Sequence, residues 1–89
     1  MNYQTWARNK GWTKVTLTTE RRNVYASNQP GSYQEKTRTA FVSDLGADYQ
    51  TSVTWGNVMG SLTRNSEGQW SSINTQRASF IVHSIEIVG

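Results

Sequence analysis

Short runs in which apolar and polar residues alternate, punctuated by turn-forming clusters, decide what this chain can become. A period of two puts every second side chain on one face of a strand. In Lys14–Thr19 (KVTLTT), Val15 and Leu17 share one face, with Thr16 and Thr18 on the other. Lys36–Val42 (KTRTAFV) is a second strand candidate. In Tyr49–Trp55 (YQTSVTW), Tyr49, Thr51, Val53 and Trp55 share a face. Ser79–Val88 (SFIVHSIEIV) is the most apolar run. Val58–Arg64 and Gln69–Ile73 are further candidates. Between the runs stand SNQPGS, with Pro30–Gly31 suited to a type II turn, DLGAD, GNVMG and NSEG. Gly46 is expected to take the positive φ of a tight hairpin. Helix signals are sparse, with leucine only at Leu17, Leu45 and Leu62. Five or six short strands fit a small closed barrel or a sandwich. The smaller solution, an all-β, five-stranded OB-like barrel, is the expected fold.

The 89 residues are read as a single domain, 1–89, with residues 1–12 as an N-terminal extension. A chain this short buries only about 60–65% of the surface its unfolded form exposes. It contains no cysteine, which removes disulfide staples and thiolate metal sites. Small domains without staples gain burial by association, so a homodimer is expected. No apolar run approaches the roughly 18 residues needed to span a bilayer, and no membrane role is expected. MNYQTWARNK lacks the apolar core of a secretory leader, which makes the cytoplasm the expected location.

Enzymatic machinery is hard to assemble from these residues. His83 is the only histidine. It has the parity of Ile81, Ile85 and Ile87, which reads as a structural histidine packed at a strand edge. Asp44 and Asp48 flank a turn, where aspartate serves backbone hydrogen bonding. No glycine-rich phosphate loop leads into a helix, and metal-ligand spacing is missing. The expectation is no enzyme, no catalytic residues, no metal and no cofactor.

Charge is distributed unevenly. Residues 1–40 carry Arg8, Lys10, Lys14, Arg21, Arg22, Lys36 and Arg38 against Glu20 and Glu35, a balance of +5. Residues 41–89 carry Arg64 and Arg77 against Asp44, Asp48, Glu67 and Glu86, a balance of −2. A basic half suits a polyanion. Ten aromatic rings are more than so small a core encloses, so several face solvent. Exposed rings among cations are the chemistry of single-strand recognition: bases stack on rings and cations meet phosphates. Arg21, Arg22 and Tyr25 precede the SNQPGS loop, and Tyr33, Lys36, Arg38 and Phe41 follow it. The plainer alternative keeps Phe41 in the core and the tyrosines on a solvated rim. In an unbroken strand Lys36 and Arg38 would also face away from Phe41.

From Tyr33 to Trp55 the sequence resembles the filamentous-phage single-stranded-DNA-binding proteins of the gene V type. The order Tyr33, Phe41, Asp44–Leu45–Gly46 and Tyr49 is similar to that family's DNA-binding strand, its turn and the tyrosine after it. One extra residue, Val42 or Ser43, precedes the turn. The last strand is similar in pattern. The resemblance implies an OB-like dimer, with Tyr33, Phe41 and Tyr49 at the family's aromatic positions. It departs from the family where a lysine falls on Thr54, where last-strand basic residues fall on Ser84 and Glu86, and in the aromatic loop, for which only Trp70 offers a shifted substitute.

The expected function is therefore sequence-tolerant binding of single-stranded DNA, coating replicating or phage DNA cooperatively, in the host cytoplasm if the chain is of phage origin. RNA is the near alternative. Arg21, Arg22, Lys36 and Arg38 would contact phosphates, and Tyr25, Tyr33, Phe41 and Tyr49 would supply rings. Two other classes fit the same composition. A carbohydrate-binding β-sandwich would use exposed tryptophans and amides. A phage structural or inhibitory domain would use Trp6 and Trp12 as an apolar protein interface.

Overall fold

Alternation makes a strand but does not say how a sheet disposes of its two edges. Here the sheet closes on itself. The computed structural model describes residues 2–22, 35–76 and 78–88. A short helix, α1 (Tyr3–Asn9), precedes β1 (Thr13–Arg22), β2 (Glu35–Val42), β3 (Gln50–Trp55), β4 (Val58–Arg64), β5 (Trp70–Thr75) and β6 (Ser79–Ile87). Each strand pairs antiparallel with the next, and β6 pairs back onto β1. The expected small antiparallel barrel is present, with six strands rather than five. Both additional segments, 58–64 and 70–75, are strands. Their order round the barrel is sequential, whereas an OB barrel runs in Greek-key order. None of the described helices is long and apolar enough to cross a membrane.

β1 runs from the lower end of the barrel to the upper. The upper end collects Arg22, Glu35 and the turns Trp55–Val58 and Thr75–Ser79; the lower end collects the turns after β2 and β4. Inward side chains meet along the axis: Val15, Leu17, Ala40, Val42, Val53, Trp55, Leu62 and Ile73 form the core. Gly56 opens the two-residue β3–β4 connection with φ 55°, at the position where a type II′ hairpin places glycine. Gly46 does not take the positive φ expected of it. Its amide instead donates to Asp44 Oδ1 at 2.9 Å, so the aspartate side chain shapes this turn.

The closing pair contains a bulge. Thr18 faces Ser84 and Thr19 faces Val82, which leaves His83 without a partner on β1. Parity changes there: Phe80 and Val82 pack on the core from one side of the bulge and Ile85 from the other. The sequence reading carried one parity through and packed His83 at a strand edge; the bulge instead turns it out to solvent.

The segment read as an extension forms α1. Asn2 caps it by accepting from Gln4 N at 2.9 Å, and Gly11, with φ 83°, ends the turn after it. The helix packs on β2 and β3, and Gln4 N donates to the Gly56 carbonyl at 3.1 Å. Ala7 is wholly buried. Phe41 and Thr54 face each other across β2 and β3 on the outer side of the wall, yet both are buried.

Gly60 approaches β5 closely. A Cβ there would stand 2.8 Å from the Asn74 carbonyl oxygen and 2.8 Å from Thr75 Cγ2. Gly60→Ala is expected to destabilise the barrel by about 1–3 kcal/mol, read as a lowered urea midpoint. Gly46→Ala, whose Cβ would meet only Asp44 Oδ1 at 3.4 Å, should move the midpoint far less.

Candidate functional site

The apolar interior stops short of the upper mouth. On β1 the inward position after buried Thr19 is Arg21, and on β2 the inward position beyond Ala40 is Arg38. Two guanidinium groups thus stand where two more core side chains would complete the barrel. They line a cleft of about 480 Å³ with Tyr3, Trp55, Met59 and Phe80, and with the amides of Asn57 and Gln76.

Arg38 is held by rings. Its guanidinium lies 4.8 Å from the Trp55 ring centre and 5.5 Å from that of Phe80. The two rings meet edge to face, 5.5 Å apart at 85°. Such contacts contribute roughly 0.5–2 kcal/mol. Against that gain, Arg38 Nε is buried with no hydrogen-bond partner. Among the described residues no carboxylate pairs with Arg38. Desolvation holds the guanidinium below its ordinary pKa. Arg38 is thus a cation kept in place, partly dehydrated and not neutralised by any described carboxylate, which is chemically suited to meet an external anion.

Tyr3 joins this mouth to α1. Its ring stands 6.3 Å from Trp6, and Trp6 stands 5.2 Å from Trp12, both edge to face. Lys10 Nζ lies 4.8 Å over Trp6. All three rings are half-buried, while Lys10 and Arg8 are exposed. Rings and cations therefore continue from the mouth along the helix.

The residues singled out from sequence separate into groups. Arg21 and Arg38 come together at the mouth. Lys36 has the parity of Arg38 and is exposed two residues further out. Arg22 closes β1. Tyr25 and Tyr33 lie outside the described residues. Phe41 requires a correction: at 3% exposure, with Arg8 5.9 Å from its ring centre, it offers no face to a base. It is buried, as the plainer alternative expected, but on the outer side of the wall against α1 rather than along the barrel axis. Tyr49 is 65% exposed but stands at the lower end. Six strand residues separate it from Trp55, roughly 20 Å, so it does not share the arginine surface. The opposed parity of Phe41 and Arg38 is explained: one faces the outer side of the wall and the other faces the barrel axis. Sequence reasoning missed Tyr3, Trp55 and Phe80, because only the strand register places their rings around Arg38.

At the lower end Arg64 is already engaged. Its Nε donates to the Ala47 carbonyl and its second terminal nitrogen to that of Leu45, each at 2.9 Å. Its guanidinium lies 4.0 Å over Trp70. This side chain ties two turns together. A cleft of about 500 Å³ beside it, between β5 and β6, holds no unpaired guanidinium. On the outer wall Glu20, Glu35 and His83 converge; they are the described residues that could hold a metal ion.

No protein-family model, curated protein or solved structure matches the chain.

Two substitutions separate core from site. Phe41→Ala should cost about 3–5 kcal/mol in unfolding by urea, as truncation of a buried ring does. Arg38→Met keeps the stem in place and removes the desolvated charge. Its urea midpoint should be unchanged or raised.

Proposed function

We propose that this chain binds single-stranded DNA without strong sequence preference, and that the upper mouth anchors the strand. The observation that carries this reading is Arg38, ring-held, partly dehydrated and without a carboxylate, beside Arg21. A phosphate is the anion such a pair accommodates, and a neighbouring base would stack on Tyr3 or Trp55. The strand would continue over Trp6 and Lys10 in one direction. In the other it would pass Lys36 and Arg22 toward the segment that contains Tyr25 and Tyr33. Phe41 has no part in the contact, and Tyr49 stands apart from it.

The proposal keeps the expectation of a small binding barrel with the role of the gene V type, though without the Greek-key strand order of an OB barrel, acting as a cooperative homodimer in the cytoplasm of a phage-infected host. What supports the binding part of it is the small antiparallel barrel together with the basic, aromatic mouth; the homodimer, the location and the phage host rest on the sequence alone. Rings and amides at a mouth also suit a sugar. A sugar, however, has no use for two guanidinium groups that no described carboxylate neutralises, and its binding would not respond to salt.

Titration with oligo-dT, followed by tryptophan fluorescence at several salt concentrations, tests the reading. Quenching is expected. If Arg21, Arg22, Lys36 and Arg38 each meet a phosphate, log K should fall against log salt with a slope of about −3. Arg38→Met should weaken binding at least about tenfold, the loss of one charge-assisted contact. No quenching, or a slope near zero, overturns the proposal.

A further inference from the structure

On the outer wall, one side chain from each of three strands meets at a single point. Glu20 of β1 and Glu35 of β2 face each other directly across the ladder. His83 of β6 reaches both: its Nε2 lies 3.2 Å from Glu20 Oε1 and 4.0 Å from Glu35 Oε1. We infer that Glu20, Glu35 and His83 form a binding site for a divalent transition cation of the zinc class.

Two independent features point to a cation. The first is donor geometry. Ligand atoms about 2.1 Å from a tetrahedral zinc stand roughly 3.4 Å from one another. One donor atom from each of the three residues lies within 4.8 Å of the others, so small rotations of the exposed Glu35 and His83 side chains and the half-buried Glu20 bring them to that spacing. The second feature is charge. Like charges directly opposite in an antiparallel pair destabilise it. Among the described residues, no lysine or arginine pairs with Glu20 or Glu35; their basic neighbour is His83. Among the described residues, these two facing carboxylates therefore have only the imidazole of His83 as a basic partner.

The donor set selects the metal. One imidazole nitrogen with two carboxylate oxygens suits zinc and its neighbours, whereas magnesium and calcium prefer oxygen throughout. Three protein ligands leave the fourth position to water or to an external group. A local spacing motif could not have shown the site, because its ligands are 15 and 48 residues apart along the chain (20 to 35, 35 to 83) and meet only through barrel closure. The bulge brings His83 there: with no β1 partner of its own, it is the residue free to turn outward. Bound metal would pin β1, β2 and β6 together at the root of the connection between β1 and β2. The site lies on the outer side of the wall from Arg21 and Arg38 and does not depend on the nucleic-acid reading.

Because His83 is the only histidine, its imidazole NMR signals report the site without ambiguity in the tag-free full chain. Addition of ZnCl₂ should shift or broaden them to saturation at one equivalent, and zinc should raise the melting temperature. Loss of an outer-shell partner typically costs a metal site roughly 10- to 100-fold in affinity, and loss of a ligand should cost at least that. Glu20→Gln and Glu35→Gln, near-isosteric changes whose fold is checked by circular dichroism, should each weaken zinc binding by about tenfold or more. They should also abolish the thermal shift. Imidazole signals indifferent to zinc would overturn the site. Equal affinity in wild type and both glutamine variants would do the same, since it would show a lone surface histidine.

Discussion

Pairing of β6 with β1 is the constraint on which everything else rests. A sheet of six short strands has too little face to bury a core and two edges open to association; closure removes the edges and encloses the interior at once. The long β1 is the hinge of this arrangement, pairing with β2 along one side and β6 along the other. The bulge at His83 lets the last strand keep apolar residues inward on both sides of the break. The same closure stacks Leu17, Leu62 and Ile73 in the interior, brings Phe80 to Arg38, and aligns Glu20 and Glu35 with His83 outside.

The barrel changes character along its axis. Below, the interior is aliphatic and wholly buried. Above the Thr19 and Trp55 layer it becomes aromatic and cationic. The cost is visible, among the described residues, in two buried polar atoms without hydrogen-bond partners, Thr19 Oγ1 and Arg38 Nε. A barrel selected for stability alone would fill that layer with leucine or valine. Proteins break local packing rules mainly at functional sites, and the proposed function puts the strand's anchor at this arginine, which contacts two rings and which no described carboxylate neutralises. Arg64 makes the contrast: it also lies over a ring, but carbonyl oxygens satisfy its donors, and it serves as a tie.

Much of the barrel was legible in the sequence, because period-two alternation is a local signal. Val15 and Leu17, or Val53 and Trp55, needed no partner to be recognised as one face. What alternation could not show was which outer faces would be covered. Phe41 is buried because α1 lies on β2 and β3, and α1 was missed because seven residues carry little periodicity. Its caps, Asn2 and Gly11, were the available signal. The alternation also hides a bulge, since His83 looks like any other residue in an apolar run. At the site, the basic residues of β1 and β2 were legible as a group, and two of them, Arg21 and Arg38, line one cleft. Tyr49 and the rings around Arg38 were not, because register between strands is set by the whole barrel rather than by neighbours in the chain.

Location is the most direct test of the central claim. Oligo-dT carrying 5-iodo-deoxyuridine, photo-cross-linked to the protein and mapped by mass spectrometry, reports which rings touch bases. If the strand is held at the upper mouth, adducts fall on Tyr3, Trp55 or Trp6. Adducts confined to Tyr49 and Trp70, at the opposite end of the barrel, would contradict it.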